Sequence, residues 1–202
     1  MAHLVDLIIM RHLPTYGNQQ KQYIGWTDQE ILDAEVPSLT NQEIQVYSSD
    51  LIRCIQTSTL YFPRSTVHTD ASFRELHFGD WEQKTYADLQ FDTAYRNWID
   101  QPLESTPPKG ESFCEFEIRV HQALFNLLDT SDSPLILVVH GGVIRLIKSW
   151  FTLTPFQQAV AGHTTVFHFT LEKKESWSCI SYSEVPITAS EPLFARILKE
   201  TM

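Results

Sequence analysis

Two apolar stretches of this 202-residue chain are each followed at once by a histidine. "LIIM" (7–10) leads into Arg11 and His12, and "LILVV" (135–139) leads into His140 and two glycines. Apolar runs of this kind predict strands buried in a parallel sheet, and open α/β sheets bind ligands beyond the carboxyl ends of their strands. If the two strands are neighbours, both histidines face one pocket. A single histidine is more often a satisfied core residue, but two at equivalent positions favour a functional site.

Arg53 is a candidate for binding an anion. It lies in "YSSDLIRCIQTS" (47–58), where Asp50 and the serines before it are good helix caps. The pattern therefore predicts Arg53 in the first turn of a helix, where free N–H groups favour an anion. A guanidinium fork matches two phosphate oxygens. Taken alone, such an arginine is more often a solvated surface residue.

Glu75 is the candidate acid. It lies in "FRELHFGDWE" (73–82), a mixed aromatic and charged stretch. Desolvation by rings and a nearby phosphate dianion both keep a carboxyl protonated, and such a carboxyl can act as a general acid. The alternative is a solvated loop charge.

The elements that position these residues alternate along the chain. Strands are predicted in 43–50, 164–172 and 176–185 besides the two above, and helices in 51–62, 85–100, 112–129 and 143–151. Alternation of this type predicts an α/β fold, three layers α/β/α around a largely parallel sheet.

Composition excludes several classes of protein. The formal net charge of -10 argues against nucleic acid or an anionic membrane as the main partner. Three dispersed cysteines, Cys54, Cys114 and Cys179, form no CxxC pair and favour a reducing compartment. No apolar run reaches the length of a membrane span, and "MAHLVDLIIM" lacks the basic start of a signal peptide. We expect a cytoplasmic protein with a small-molecule ligand, as a monomer or homodimer.

Six stretches in order resemble the histidine phosphatase superfamily, which comprises cofactor-independent phosphatases and phosphoglycerate mutase-like enzymes. They are "RHLPTYGN" (11–18), "YIGWTD" (23–28), "YSSDLIRCIQTS" (47–58), "FRELHFGDWE" (73–82), "KGESFCEFEIRV" (109–120) and "VVHGGVIRLI" (138–147). The resemblance implies a phosphoglycerate mutase-like fold and one domain over residues 1–202. It also implies a helical flap over the site, residues 76–112, which we call the covering segment.

The resemblance also implies roles for matching residues. His12 would be the nucleophile that forms a phosphohistidine, with Arg11, Arg53 and His140 around the phosphoryl oxygens. Asn18 and Gly141 would join the substrate-binding residues. Glu75 would protonate the leaving oxygen and then activate water. No metal and no cofactor is expected, because no cluster of carboxylates and histidines has ligand spacing.

The chain departs from the family in two places. Leu13 stands where the family has glycine, a residue that permits unusual dihedrals and close approach. The stretch 29–42, broken by Pro37, is too short for the helix that relatives carry there. We expect one face of the sheet to be less covered as a result. His163, in "AGHTTVF", borders the pocket in relatives and is at most a marginal candidate contact.

Residues 97–124 and "SWSCISYS" (176–183) are similar to α-ribazole-5′-phosphate phosphatases of cobalamin synthesis. Between Arg74 and Lys109 the chain holds four basic and seven acidic residues and six aromatic ones, which favours a neutral or aromatic leaving group. Two alternatives stay open. One is a general phosphatase of small monoesters. The other is a catalytically weakened phosphohistidine relay or binding protein, which rests on Leu13 alone.

Overall fold

The computed structural model describes residues 3–130 and 134–199, so the ends of the predicted 1–202 domain and residues 131–133 lie outside the described residues. Its centre is a six-stranded sheet in the order β3-β2-β4-β1-β5-β6. The strands are β1 (His3–Arg11), β2 (Gln45–Ser48), β3 (Thr66–Thr69), β4 (Leu135–Val139), β5 (Thr165–Lys173) and β6 (Trp177–Pro186). The helices are α1 (Tyr16–Gln19), α2 (Ile52–Tyr61), α3 (Tyr86–Leu89), α4 (Thr93–Asp100), α5 (Phe113–Thr130), α6 (Gly141–Phe151) and α7 (Glu191–Ile197).

The sheet is largely parallel, as predicted. Strands β1 to β4 pair in parallel, whereas β5 runs antiparallel to both β1 and β6. Every residue of β4 is buried, and Leu7 to Met10 of β1 are fully buried too. A strand buried on both faces needs apolar side chains at consecutive positions, which explains the unbroken apolar runs in the sequence.

Helices cover both faces of the sheet, which confirms the three-layer prediction. On one face, Leu7 and Ile9 belong to a core that includes residues of α5 and α6. On the other face, Ile8 and Met10 belong to a core with residues of α2 and α7. The alternation along β1 follows from the two-residue period of a strand.

The stretch 29–42 contains no helix, as expected, but the expectation of a less covered face was wrong. Leu39 is buried in that core, and Ile31 packs against it. Phe194 and Ile197 of α7 are also buried there. The C-terminal helix and an extended segment together take the place of the missing helix.

The covering segment holds two short helices where the sequence predicted one helix over 85–100. Helix α3 starts at a capping box formed by Thr85 and Asp88, and α4 starts where the Asp92 side chain accepts the N–H of Tyr95. Capping side chains fix such starts. Trp81, Leu89 and Tyr95 form a separate small core beneath these helices. Within the described residues, no helix is long and apolar enough to span a bilayer.

Candidate active site

The two predicted histidines meet at the ends of neighbouring strands. Arg11 of β1 pairs with Val139 of β4, and the backbone N–H of His12 donates to the Val139 carbonyl at 2.9 Å. The imidazole rings of His12 and His140 lie 5.1 Å apart, edge to face. Parallel register of the two strands therefore creates the pocket that the sequence suggested.

His12 is held with one ring nitrogen free. Its Nδ1 lies 2.7 Å from the Leu13 carbonyl oxygen, which can only accept, so Nδ1 carries the hydrogen and Nε2 the lone pair. Burial, and then the charges of Arg53 and Arg11, hold the pKa of His12 well below its ordinary value. A neutral imidazole with a free Nε2 is a competent nucleophile.

His140 has the opposite arrangement. Arg53 Nε donates to His140 Nδ1 at 3.3 Å, so the hydrogen of the neutral ring sits on Nε2, which lies 3.5 Å from Cys54 Sγ. Burial and Arg53 keep the pKa of His140 well below its ordinary value. The positive charge of the site therefore comes from the two arginines rather than from an imidazolium.

Arg53 is fully buried in the second position of α2, so the surface-residue interpretation is wrong. Its Nη1 donates to the Thr27 carbonyl at 2.9 Å and its Nη2 to the Gly25 carbonyl at 2.6 Å. With Nε on His140, two of the five N–H groups of the fork remain for an anion. The loop at residues 25–27 thus orients the guanidinium.

Glu82 fixes that loop, a role that sequence reasoning did not foresee. Its carboxylate accepts the backbone N–H groups of Gly25, Trp26 and Thr27 at 2.9–3.1 Å, and also the Thr27 hydroxyl at 2.6 Å. It accepts the Phe78 N–H as well, at 3.1 Å. One carboxylate therefore joins the Arg53 loop to the covering segment.

Arg11 supplies the second guanidinium. Its Nη1 donates to the Ala161 carbonyl at 3.0 Å, and it lines a pocket together with Asn18 and Glu75. Its Nε is buried without a hydrogen-bond partner among the described residues. A buried donor of this kind is costly unless a ligand satisfies it. Burial lowers the pKa of Arg11, an effect that nearby Glu75 opposes.

Glu75 lies across the pocket from the arginines at the start of α6. Its Oε2 accepts the N–H of Gly142 at 2.8 Å, and its Oε1 accepts the N–H of Leu76 at 3.0 Å. A Cβ at position 142 would fall 2.1 Å from Glu75 Oε1, so a side chain there would displace the Glu75 carboxylate. At Gly141 a Cβ would lie 3.2 Å from the Arg11 guanidinium carbon, which explains the first glycine through packing.

Asn18 lines the same pocket from the end of α1. Its Oδ1 accepts the N–H of Thr15 at 3.1 Å, and its own N–H donates to the Thr15 hydroxyl at 3.3 Å. This reciprocal capping box fixes the side chain and leaves the amide NH₂ as a donor.

Leu13 causes no backbone strain in place of the family glycine. It is buried and is not among the described residues with positive φ. Its N–H donates to Thr57 Oγ1 at 2.8 Å, and its carbonyl accepts from His12. The Leu13 backbone therefore keeps an ordinary conformation beside His12.

His163 is closer to His12 than the sequence suggested. Its Nδ1 lies 2.6 Å from the His12 carbonyl oxygen, and the two rings are 5.4 Å apart. Burial and Arg11 lower the pKa of His163 to about 4. Its separation of 151 residues from His12 leaves no local signal that could have revealed the contact.

The pocket continues outward from Arg11 and Glu75 between the covering segment and α5. Its wall is mostly apolar, and six of its residues are Phe78, Trp98, Ile99, Pro102, Phe113 and Phe116. Arg145, one turn beyond Gly141 on α6, also lines it and is exposed. Arg145 takes part in none of the ion pairs found among the described residues.

This geometry lies on a three-layer α/β fold, where two histidines follow neighbouring parallel strands. The family model of the histidine phosphatase superfamily (branch 1) matches residues 7–183, and the chain belongs to this family.

Similar proteins carry several different names. The glucosyl-3-phosphoglycerate phosphatase of Mycolicibacterium vanbaalenii is 31% identical over 166 residues, which cover 71% of this chain and 72% of the relative. The phosphoglycerate mutase-like protein 4 of Arabidopsis thaliana is 27% identical over 196 residues, covering 89% and 85%. The solved α-ribazole phosphatase of Shigella flexneri has a TM-score of 0.69 at 22% identity, over 86% of this chain and 94% of that one, a likeness of fold.

Proposed function

We propose that the protein hydrolyses phosphate monoesters through a phosphohistidine on His12. The observation that carries this proposal is the neutral His12, whose Nε2 lone pair is free beside two guanidinium groups. In the first step Nε2 bonds to phosphorus, the ester P–O bond breaks, and Glu75 gives its proton to the leaving oxygen. In the second step Glu75 takes a proton from water, the hydroxide attacks phosphorus, and the N–P bond breaks.

Charge for both steps comes from side chains of this chain. Arg11 and Arg53 balance a phosphoryl dianion, and His140 Nε2–H adds a neutral donor. Phosphoryl transfer requires mainly positioning and charge stabilisation, and two arginines supply both. We therefore propose turnover without a divalent metal or other cofactor.

Two features support α-ribazole-5′-phosphate, or a similar nucleoside-like monoester, as substrate. Residues 97–124 resemble phosphatases of that specificity. The outer pocket has an apolar, largely aromatic wall, which suits a ring-bearing leaving group. The dispersed cysteines agree with a cytoplasmic location.

Arg145 favours a second candidate substrate class. An exposed guanidinium without an ion-pair partner among the described residues, on the wall of the pocket, suits a leaving group that carries a carboxylate. Glucosyl-3-phosphoglycerate, named in a relative, has such a group. The weakened relay interpretation loses its only support, because Leu13 is accommodated without strain.

A substrate panel in chelator tests these proposals. We expect hydrolysis of α-ribazole-5′-phosphate to exceed that of glucosyl-3-phosphoglycerate, with activity unchanged by EDTA. Arg145→Gln should affect only substrates with a carboxylate, whereas a dominant glucosyl-3-phosphoglycerate activity lost in this variant would establish the second candidate. Complete loss in EDTA, restored by magnesium or zinc, would refute metal independence.

Mutase activity needs a separate assay. We expect negligible conversion of 3-phosphoglycerate to 2-phosphoglycerate with a 2,3-bisphosphoglycerate primer, because such an intermediate adds charges beyond one phosphoryl clamp. Isomerisation faster than hydrolysis of a nucleoside monophosphate would contradict the proposed phosphatase.

A further inference from the structure

Arg119 lies in the second turn of α5, next to residues 72–75. All five of its N–H groups donate hydrogen bonds. Its Nε and Nη2 donate to the two carboxylate oxygens of Glu111, at 2.6 and 2.8 Å. Its Nη1 donates to the carbonyl oxygens of Ser72 and Arg74, at 2.9 and 2.8 Å. Its Nη2 also donates to the carbonyl of Glu75 at 2.9 Å. Three backbone carbonyls of residues 72–75 thus end on one guanidinium.

The Glu75 carbonyl has a second donor. The indole Nε1 of Trp26 lies 2.9 Å from it, on the loop that also holds Arg53. The Arg119 guanidinium lies 4.9 Å from the ring centroid of Phe116, which limits its movement on one side. The main chain of Glu75 is therefore fixed from two directions, by α5 and by the loop.

The side chain of Glu75 is fixed from a third direction. Its carboxylate accepts the Gly142 N–H at the start of α6. The acid thus spans a gap whose two sides are set by different helices, α5 through Arg119 and α6 through Gly142. A displacement of about 1 Å in a catalytic group can cost a hundredfold in rate.

We propose that Arg119 is a positioning residue that places the Glu75 carboxyl for proton transfer, acting through the Glu75 main chain. The inference rests on the proposed function, in which Glu75 is the acid and then the base. Only arginine can make this contact set, because lysine has three donors and no planar fork. Glu111 completes the device, since its carboxylate neutralises the guanidinium and also accepts the His77 N–H at 3.3 Å.

The variant Arg119→Lys keeps the charge and removes the fork. We expect kcat for an alkyl phosphate to fall by about tenfold to a hundredfold, with KM changed less than about twofold. The phosphorylation burst with an aryl phosphate should change little, because a good leaving group needs no proton. The matched control is Arg64→Lys, whose guanidinium pairs with Glu43 at the surface and contacts none of these carbonyls.

A double-mutant cycle separates positioning from a general structural role. In a Glu75→Gln background, Arg119→Lys should reduce turnover of the alkyl phosphate by less than about twofold. The carboxyl that Arg119 would position is already absent there. Equal losses for alkyl turnover and the aryl burst, or fully additive losses in the cycle, would show that Arg119 only holds the fold. Unchanged turnover in Arg119→Lys would overturn the inference as well.

A structural readout keeps the test independent of substrate. The Gly142 amide resonance, followed by NMR over pH, reports the adjacent carboxylate of Glu75. We expect Arg119→Lys to shift this resonance and Arg64→Lys to leave it unchanged. If the wild type hydrolyses no phosphate ester, the proposed function fails while this readout still decides the positioning role. If Arg119→Lys unfolds, Glu111→Gln replaces it and should shift the same resonance, and no shift would overturn the inference.

Discussion

The floor of the site and its covering segment differ in how they are held. The floor consists of His12, His140 and Arg53, whose side chains are at most 3% exposed. The two histidines directly follow strands, and Arg53 lies in the first turn of α2. In the covering segment, Phe91 is 91% exposed and Tyr86 52% exposed. Short capped helices and a core of a few aromatic residues hold that segment together.

The difference separates reaction from recognition. The register of the sheet fixes the positions of the floor residues. Displacing one of them would disturb the whole core, so the floor suits a chemical step common to many substrates. The covering segment makes fewer contacts with the main cores and can vary without disturbing the sheet. We therefore expect floor variants to affect every substrate and covering-segment variants to discriminate among substrates.

The largest expected effect is at the floor. His12→Asn should reduce turnover of every phosphate monoester by at least about ten-thousandfold, because it removes the nucleophile. Rapid quenching of the wild type with substrate should label a peptide covering residues 7–18, with an acid-labile and base-stable bond. The variant should carry no label, and the exposed-residue control His68→Asn should label normally. A label on His140 or on a serine would assign the nucleophile elsewhere.

A smaller and selective effect is expected in the covering segment. Trp98→Leu should raise KM for a nucleoside-like monoester by about threefold to tenfold, as loss of an aromatic contact predicts. Inhibition by inorganic phosphate should stay unchanged, because phosphate needs only the floor. Phe91→Leu is the matched control, since that ring is exposed and is not among the residues lining the pocket. Equal changes for inorganic phosphate and the nucleoside-like monoester would contradict the expectation that covering-segment variants discriminate among substrates.

The last expected effect concerns the pH dependence of stability. Burial lowers the pKa of His12, His140 and His163, the last to about 4. Below pH 6.5 these histidines bind protons in the unfolded chain but stay neutral in the folded one. The free energy of unfolding is therefore highest above pH 6.5 and falls as the pH drops toward 4. His163 contributes at most about 2 kcal/mol of loss at pH 5.

Urea unfolding at pH 7 and pH 5 measures this loss. His163→Gln should show a shallower decline than the wild type, and His68→Gln should match the wild type. The partners His168 and Arg74 lower the pKa values of Asp6 and Asp50. The stability that these carboxylates contribute to the protein is therefore lost only below about pH 4. A wild type equally stable at both pH values would contradict the burial argument.

The sequence by itself predicted five of the six described strands, all but β3, and the residues that follow β1 and β4. Consecutive apolar residues require a strand buried on both faces, and the histidines after 7–10 and 135–139 stand where such strands end. The predicted local caps before Arg53 were wrong: Leu51 is the N-cap residue without a side-chain hydrogen bond, and the N–H of Ile52 donates to Asp28 Oδ1 at 2.8 Å. The strand signals are short-range, because each depends on neighbours within one element.

Only the tertiary structure decided how those residues work. The Leu13 carbonyl and Arg53 set the opposite tautomers of His12 and His140, and His163 reaches His12 from 151 residues away. Helix α7, which the sequence patterns did not predict, covers the face left by the missing helix. Each of these contacts joins residues that are far apart or depends on the direction of a single lone pair, and neither property leaves a periodic pattern in a sequence.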